Sequence, residues 1–186
     1  MPQIRLNNVR ASYVHLHKRR KKQDGSEGKY EITLILDDKD NAEDIKKVQA
    51  LIESLKTHEK FQGKKPTKLG LRRGDDTEDR AADPALGPNK WTIGCRSDNK
   101  PHIKIVKPGL GLVDLPEDSG KPYSGCYVDA LIDMFPFVNT SEGTTTRGIS
   151  SEIVAVVFKK DGDPLGGRAQ VDLEKAFADL TAGDSL

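Results

Sequence analysis

The side chains best suited to chemistry in this sequence are cations in a run: Lys18, Arg19, Arg20, Lys21 and Lys22. Five consecutive positive charges are too costly to bury, so they must project into solvent, where they form a funnel for a polyanion such as a phosphate backbone. Arg72, Arg73, Lys104, Lys107, Arg147, Lys159 and Lys160 are further cations that other segments could bring to the same surface. Aromatic rings supply the second ingredient. Tyr13, Tyr30, Trp91, Tyr123, Tyr127, Phe135 and Phe137 all fall in or beside stretches that read as strands. An exposed ring can stack on an unpaired base, for about 1–3 kcal/mol each. Tyr30 and Trp91 are expected inside, whereas Tyr127 and Phe135 alternate onto the polar face of their strand and are candidates for stacking. Cations with interleaved aromatics predict nucleic-acid binding through Lys18, Arg19, Arg20, Lys21, Lys22, Arg72, Arg73, Lys104, Lys107, Tyr123, Tyr127, Phe135, Phe137 and Arg147.

Catalytic arrangements are weaker. The sequence has no P-loop, GxSxG, HExxH or CxxC motif. Gly109-Leu-Gly111 lacks the helix and acidic partner that a dinucleotide fold requires. Asp129 and Asp133, four apart on one strand face, could make a two-carboxylate site but are expected to be solubilising groups. His15 and His17 could share a face, yet two imidazoles fall short of the three or four ligands of a metal site. Cys95 and Cys126 lie 31 residues apart and are expected to be buried thiols. No catalytic residue, metal or cofactor is assigned.

The elements that must position these residues read mainly as strands. Residues 121–138, KPYSGCYVDALIDMFPFV, alternate from Cys126 onward, with Cys126, Val128, Ala130, Ile132 and Met134 on an apolar face. Gly125 and Pro136 are expected bends in this long strand. Residues 4–17 form another strand, whose pattern changes phase after Leu6 and again after Tyr13, each change marking a bulge. The basic run and the turn formers Asp24, Gly25 and Gly28 make the tip of a long hairpin that returns through residues 29–36. Asp40 and Glu43 read as a capping box opening a helix, with Ile45, Val48, Ile52 and Leu55 on one stripe and an end near His58. Residues 60–89 show no sustained period and read as a long loop, as do residues 108–120. Short strands are expected at 91–95 and 102–106, and a final strand at 148–158 with Ile149, Ile153, Ala155 and Val157 on one face. Residues 139–146 form a polar hairpin tip, and residues 171–180 a short helix. Five or six strands with one internal helix fit a mainly β protein, a five-stranded Greek-key barrel of the OB type.

Length and charge bound the reading. The chain has 186 residues, 35% hydrophobic and 32% charged, which suits one domain with solvated loops. No apolar run nears the roughly 20 residues of a membrane helix, and the start, MPQIRLNNVR, lacks an apolar signal segment, so an intracellular protein is expected. The net charge of +1 hides an asymmetry: residues 1–30 carry +6 and residues 171–186 carry −3. A basic front and an acidic end suggest an anionic partner and a tail that competes with it.

Several stretches resemble a family of bacteriophage single-stranded DNA-binding proteins with an OB fold. They are KYEITLIL (29–36), LGLRRGDD (69–76), PYSGCYVDALIDMFPFVN (122–139) and DGDPLGGR (161–168), and the resemblance runs in order from about Ile4 to Phe177. It implies an OB-fold domain over residues 1–170 and a short helical, mildly acidic tail over residues 171–186. It also implies non-sequence-specific binding of single-stranded DNA in phage replication, recombination or repair, in the cytoplasm of the infected host. Replication or recombination proteins would be partners through the tail. The end of this chain, ADLTAGDSL, is only mildly acidic and lacks a terminal aromatic. The alternative reading is an interaction module that recruits replication proteins and binds DNA secondarily.

Overall fold

In a computed structural model of the protein, residues 2–165 are described together with Ala178 and Leu180. The expected C-terminal helix and tail, residues 171–186, lie almost wholly outside the described residues. Eight strands are present among them: β1 (Gln3–His15), β2 (Tyr30–Asp37), β3 (Leu71–Arg73), β4 (Lys90–Ser97), β5 (His102–Lys107), β6 (Gly111–Asp114), β7 (Tyr127–Ser141) and β8 (Thr144–Lys160). Helix α1 spans Ala42–Leu55, and a short helix α2 spans Glu78–Ala82.

Five strands close a barrel. β1 pairs antiparallel with β2 and with β7, β2 pairs with β4, and β7 pairs with β8. A parallel bridge from Cys95 to Ser151 then joins β4 to β8 and seals the ring. β3 adds to the outer side of β4, while β5 runs parallel to the second half of β8 and carries β6 on its far edge. The fold is the expected mainly β, OB-type barrel, with three extra strands.

The alternation in the sequence explains the core. Val128, Ala130, Ile132 and Met134 of β7 are all at most 1% exposed, as are Leu6, Val9 and Ala11 of β1 and Ile32, Leu34 and Leu36 of β2. Each fully buried Leu or Ile contributes about 1.5–3 kcal/mol relative to exposure, so these inward faces define the strand registers. Both phase changes of β1 are bulges: register shifts fall between Leu6 and Val9 against β7 and between Ser12 and His15 against β2. The residues that absorb them, Asn8 and Tyr13, take left-handed φ values of 51° and 47°.

Several expectations are corrected. The N-cap position is Asn41, not Asp40, and its side chain bonds outside the helix. Its Oδ1 accepts the Asp37 N–H at 2.9 Å and its amide donates to Asn7 O at 3.0 Å, while buried Asp44 accepts the Asn7 N–H at 2.7 Å. The helix start is thereby tied to the β1 bulge, so a local capping box has no role. The stripe Ile45, Val48, Ile52 and Leu55 is buried as expected. Pro136 makes no bulge in β7: it pairs in register with Ile149, beyond the last β1 partner at Asp133, where its missing N–H has no strand to serve. The irregularities of the β7–β8 pairing lie at Tyr127/Val128 and Leu131/Ile132 instead. The second leaves Val154 unpaired and reverses the phase of β8. Val156 and Phe158 therefore fill the core, and not the expected Ala155 and Val157.

The two expected loops hold structure. Phe61, on a 3-10 turn at Glu59–Phe61, is 1% exposed, and residues 71–82 supply β3 and α2. Residues 108–120 contain β6 and a second 3-10 turn, Glu117–Ser119. Tyr30 and Trp91 are half-buried, each with a guanidinium over its ring: Arg19 at 5.1 Å and Arg73 at 4.9 Å. Asp129 is buried, not solubilising. It accepts from Arg5 at 2.8 Å and from the bulged Asn8 N–H at 2.8 Å, an N–H that the ladder leaves free. Cys95 and Cys126 are free buried thiols, both pushed up in pKa by burial.

Candidate nucleic-acid interface

The outer faces of β1, β2 and β4 carry a row of three hollows that follow one another along β2. The central one is a groove of about 630 Å³ lined by Ser12, Tyr13, Val14 and His15 of β1, Thr33 and Ile35 of β2, and Thr92 of β4. One wall is the segment from Asp79 to Leu86, held by Arg80, whose guanidinium donates to Thr92 Oγ1 at 2.6 Å and Arg73 O at 3.1 Å. Ser124 and Leu165 form part of the rim.

Beyond each end lies a charged hollow. At one, Arg19, Arg20, Lys22 and Lys29 of the β1–β2 hairpin meet Glu31 and Arg96. At the other, Arg10, Lys90, Tyr127 and Lys160 surround Asp37. Glu31, Thr33, Ile35 and Asp37 alternate along the outer face of β2, so the tract extends about 20 Å at roughly 3.3 Å per residue.

Two aromatic residues mark this tract. Tyr13 is 70% exposed, because the β1 bulge and its left-handed backbone turn the residue outward. A non-glycine residue in that conformation costs of order 1–3 kcal/mol, and such strain clusters at functional positions. Tyr127 is half-buried, with Lys160 Nζ 4.7 Å and the Arg10 guanidinium 5.9 Å from its ring centroid. Arg10 is anchored by donating to Gly125 O at 3.2 Å and Asp163 O at 2.7 Å. The motif PYSGCY meets residues 161–165, the start of the second motif, here. A Cβ on Gly125 would sit 2.1 Å from Asp163 O, and one on Gly162 2.2 Å from Gly125 O, so only glycines allow the crossing.

The predicted residues divide among several places. Arg19, Arg20, Lys22 and Tyr127 line the tract. Arg20 pairs with Glu31 at 3.3 Å, and Lys18 with Glu117 at 3.1 Å. Lys21 is exposed at the hairpin tip, where its backbone pairs with that of Glu27 in an isolated antiparallel bridge. Tyr123 holds structure: its hydroxyl donates to Asp161 Oδ1 at 2.8 Å and accepts the Gly162 N–H at 3.1 Å, and burial followed by the Asp161 carboxylate raises its pKa. Arg72 is bound bidentately by Asp76 at 2.7 and 3.0 Å, and Arg73 pairs with Asp75 at 3.2 Å. Lys104 pairs with Asp114 at 2.5 Å, and with Lys107 it lies on the β5–β6 hairpin, which contributes no residue to the tract.

Phe135, Phe137 and Arg147 form a separate group toward the β7–β8 hairpin. There the Phe137 ring lies so close over Gly148 that a Cβ would be 2.7 Å from it. Sequence reasoning did not select Arg10, Tyr13, His15, Lys29, Lys90 or Arg96. For Tyr13 the phase break in β1 was the available signal; the others are assembled by strand pairing alone.

Comparison with known proteins bears on the same chain. A sequence model of the family described as "Enterobacter phage Enc34, ssDNA-binding protein" matches residues 2–185. The single-stranded DNA-binding protein from bacteriophage Enc34, solved in complex with ssDNA, is 27% identical, with a TM-score of 0.65 over 88% of this chain and 89% of that one. Its C-terminal truncation is 29% identical, with a TM-score of 0.67 over 88% of each chain. Putative protein p50 of Acyrthosiphon pisum secondary endosymbiont phage 1 is 26% identical over 97% of this chain and 95% of its own length. The bacteriophage T7 protein gp2.5, 12% identical with a TM-score of 0.56, shares the fold. This chain belongs to the Enc34 ssDNA-binding protein family.

Proposed function

We propose that the chain binds single-stranded DNA without sequence preference, along the outer face of β1, β2 and β4. The observation that carries this reading is the tract itself: Tyr13 in the central groove and Tyr127 in the hollow at one end, with cations at both ends. Arg20, Lys22, Lys29 and Arg96 at one end, and Arg10 and Lys160 at the other, hold the phosphates. Tyr13 and Tyr127 stack bases, a contact indifferent to sequence because every base has a π-face. Family membership supports the ligand. OB folds use the face of their second and third strands and the loop between the first two, which here are β2, β4 and the basic hairpin. The role extends to phage DNA replication, recombination or repair in the host cytoplasm, with the acidic segment 171–186 as the contact for replication proteins.

Fluorescence anisotropy with labelled oligo-dT across a salt series tests the reading. The tract accommodates about three to six phosphates, and each one neutralised contributes about 0.7 to the slope of log affinity on log salt, so a slope between about −2 and −4 is expected. Equal affinity for duplex and single strand, or a flat salt dependence, would remove the proposal.

A further inference from the structure

A second basic surface lies away from the tract, beyond the C-terminal end of α1. Residues 56–68 carry five lysines against one glutamate, Glu59, a net charge of +4. In the stretch that follows, Arg72, Arg73 and Arg80 are each matched by an aspartate. Here only Lys56 is matched, by Glu53. Lys60, Lys64, Lys65 and Lys68 are exposed and have no carboxylate partner among the described residues. One lysine is enough to answer the electronegative end of a helix. The other four repel one another, which works against the fold.

The lysines stand on a fixed frame. Phe61, 1% exposed, anchors their segment in the core. Gln62 and Gly63 then take left-handed φ values of 50° and 74°, and the Lys64 N–H donates to Phe61 O at 2.9 Å, closing a tight turn. At the far end the Thr67 N–H donates to Arg147 O at 2.9 Å and Lys68 O accepts the Ile149 N–H at 2.8 Å, which pins the segment to β8. Between these anchors lies a groove of about 570 Å³, whose walls include Lys56, His58, Lys64, Lys65, Pro66 and Leu69, with Glu53 held by Lys56. His58 accepts the Lys60 N–H through Nδ1 at 3.2 Å, so its Nε2 carries the proton and is a further donor.

We infer that this groove is a second binding site for the phosphate backbone of single-stranded DNA, taking up the strand beyond the end of the tract. Its lining holds no Tyr, Phe or Trp. It offers charge and hydrogen-bond donors but no platform for a base, which fits a phosphodiester backbone of any sequence. α1 connects the groove to the tract. Asn41, just before the helix, lines the hollow around Asp37, and Glu53, near its end, lines the groove. The helix has 14 residues, which at about 1.5 Å each separate the two by roughly 20 Å, a span that a flexible single strand crosses in a few nucleotides. The inference rests on the proposed binding in the tract, and strand length tells the two sites apart.

Oligo-dT of about 8 and about 16 nucleotides covers the range of OB-fold site sizes, and each is titrated with strand in excess so that one copy binds each molecule. The wild type should show a salt slope steeper by about 1.4 on the longer strand, two phosphates at 0.7 each. Lys64→Ala with Lys65→Ala should remove that difference and weaken binding of the longer strand at least fivefold. Binding of the shorter strand should stay within twofold, because at about 0.15 M salt exposed charges more than roughly 8 Å apart are largely screened. Lys100→Ala with Lys107→Ala, equally exposed and outside the groove and the tract, should alter neither strand. Unchanged binding of the longer strand by the groove variant, or an equal loss in the control pair, would overturn the inference. A wild type that binds the longer strand alone, and loses it in the groove variant, would instead refute the tract; binding to neither strand would refute both. A second measurement identifies the occupant. Both native thiols are buried, so Lys64→Cys can be labelled selectively with a photoreactive group. It should cross-link to the longer strand and not to the shorter. Cross-linking to residues 171–186 in place of DNA would make the protein's own acidic segment the occupant and overturn the inference.

Discussion

Replacing Tyr13 separates binding from folding more cleanly than any other change. The ring is 70% exposed, so Tyr13→Ala removes little core area and leaves the same left-handed backbone at 47°. If the ring stacks one base, the loss is about 1–3 kcal/mol, a 5- to 150-fold weaker affinity for oligo-dT. No charge is removed, so the salt slope should be unchanged and the affinity curves should be displaced in parallel. Tyr13→Gly sharpens the test. Glycine adopts a left-handed φ without penalty, relieving about 1–2 kcal/mol of backbone cost while adding about 0.5–1 kcal/mol of unfolded-state entropy. The glycine variant should thus melt no lower than wild type and still lose the same affinity as alanine. Tyr13→Phe should bind normally. Anisotropy titrations at three salt concentrations, with a thermal melt for each variant, measure both quantities. An alanine variant within twofold of wild type at every salt would refute the placement of a base on Tyr13.

Three further outcomes follow from the same geometry. Lys22→Ala with Lys29→Ala should flatten the salt slope by up to about 1.4, two phosphates at 0.7 each, with little change in the melting temperature. Gly125→Ala puts a Cβ 2.1 Å from Asp163 O at a φ of +113°. It should cost about 2–4 kcal/mol in denaturant unfolding, whereas Gly143→Ala, with nothing within 4 Å, should cost about 1 kcal/mol. Asp37 is held at a pKa of about 2, chiefly by the hydrogen bond from Lys90 and against the opposing effect of burial. A depressed carboxylate stabilises the fold above its unfolded pKa and loses that contribution as pH falls toward the folded value. With the side chain 23% exposed, screening reduces the contribution to about 1 kcal/mol. Asp37→Asn should be destabilised by that amount at pH 7, less so as pH falls through about 2, and should approach wild type only below it; a constant difference across that range would exclude the linkage.

How much of this was legible in the sequence depends on whether the signal was local. The inward faces of β1, β2 and β7 were readable because a period of two admits one register once a face is buried. Even the β1 bulges showed as breaks in phase. The β8 phase was misjudged because its bulge at Val154 is set by pairing with β7, and nothing in Ile153-Val-Ala-Val-Val157 marks it. The cap was misplaced for the same reason, since Asn41 is chosen by contacts to Asn7 and Asn8, more than thirty residues away. The site followed this division. Lys18 to Lys22 announced themselves as a run, but Arg10, Lys29, Lys90 and Arg96 are single cations in unrelated strands. They meet only when β1, β2 and β4 lie side by side. Arg72 and Arg73, also selected from the sequence, pair with Asp76 and Asp75 of the acidic cluster that follows them.

The carboxylates inside the tract fit this function. Glu31 stands between Arg20 at 3.3 Å and Arg96 at 3.3 Å, and Asp37 holds Lys90. Arg20 and Arg96 are the exposed members of their pairs, and such pairs contribute about 0–1 kcal/mol each, so a phosphate can take up these guanidiniums at little cost. In the absence of DNA the pairs keep long side chains extended along the tract, which reduces the rotamer entropy lost on binding. They also lower the net positive charge of the surface, so that attraction to phosphate alone is modest. A duplex offers phosphates but keeps its bases paired and stacked. On the proposed binding mode, preference for single strands rests on Tyr13 and Tyr127 as stacking platforms for unpaired bases, and removing both rings should reduce discrimination against duplex more than removing any two cations.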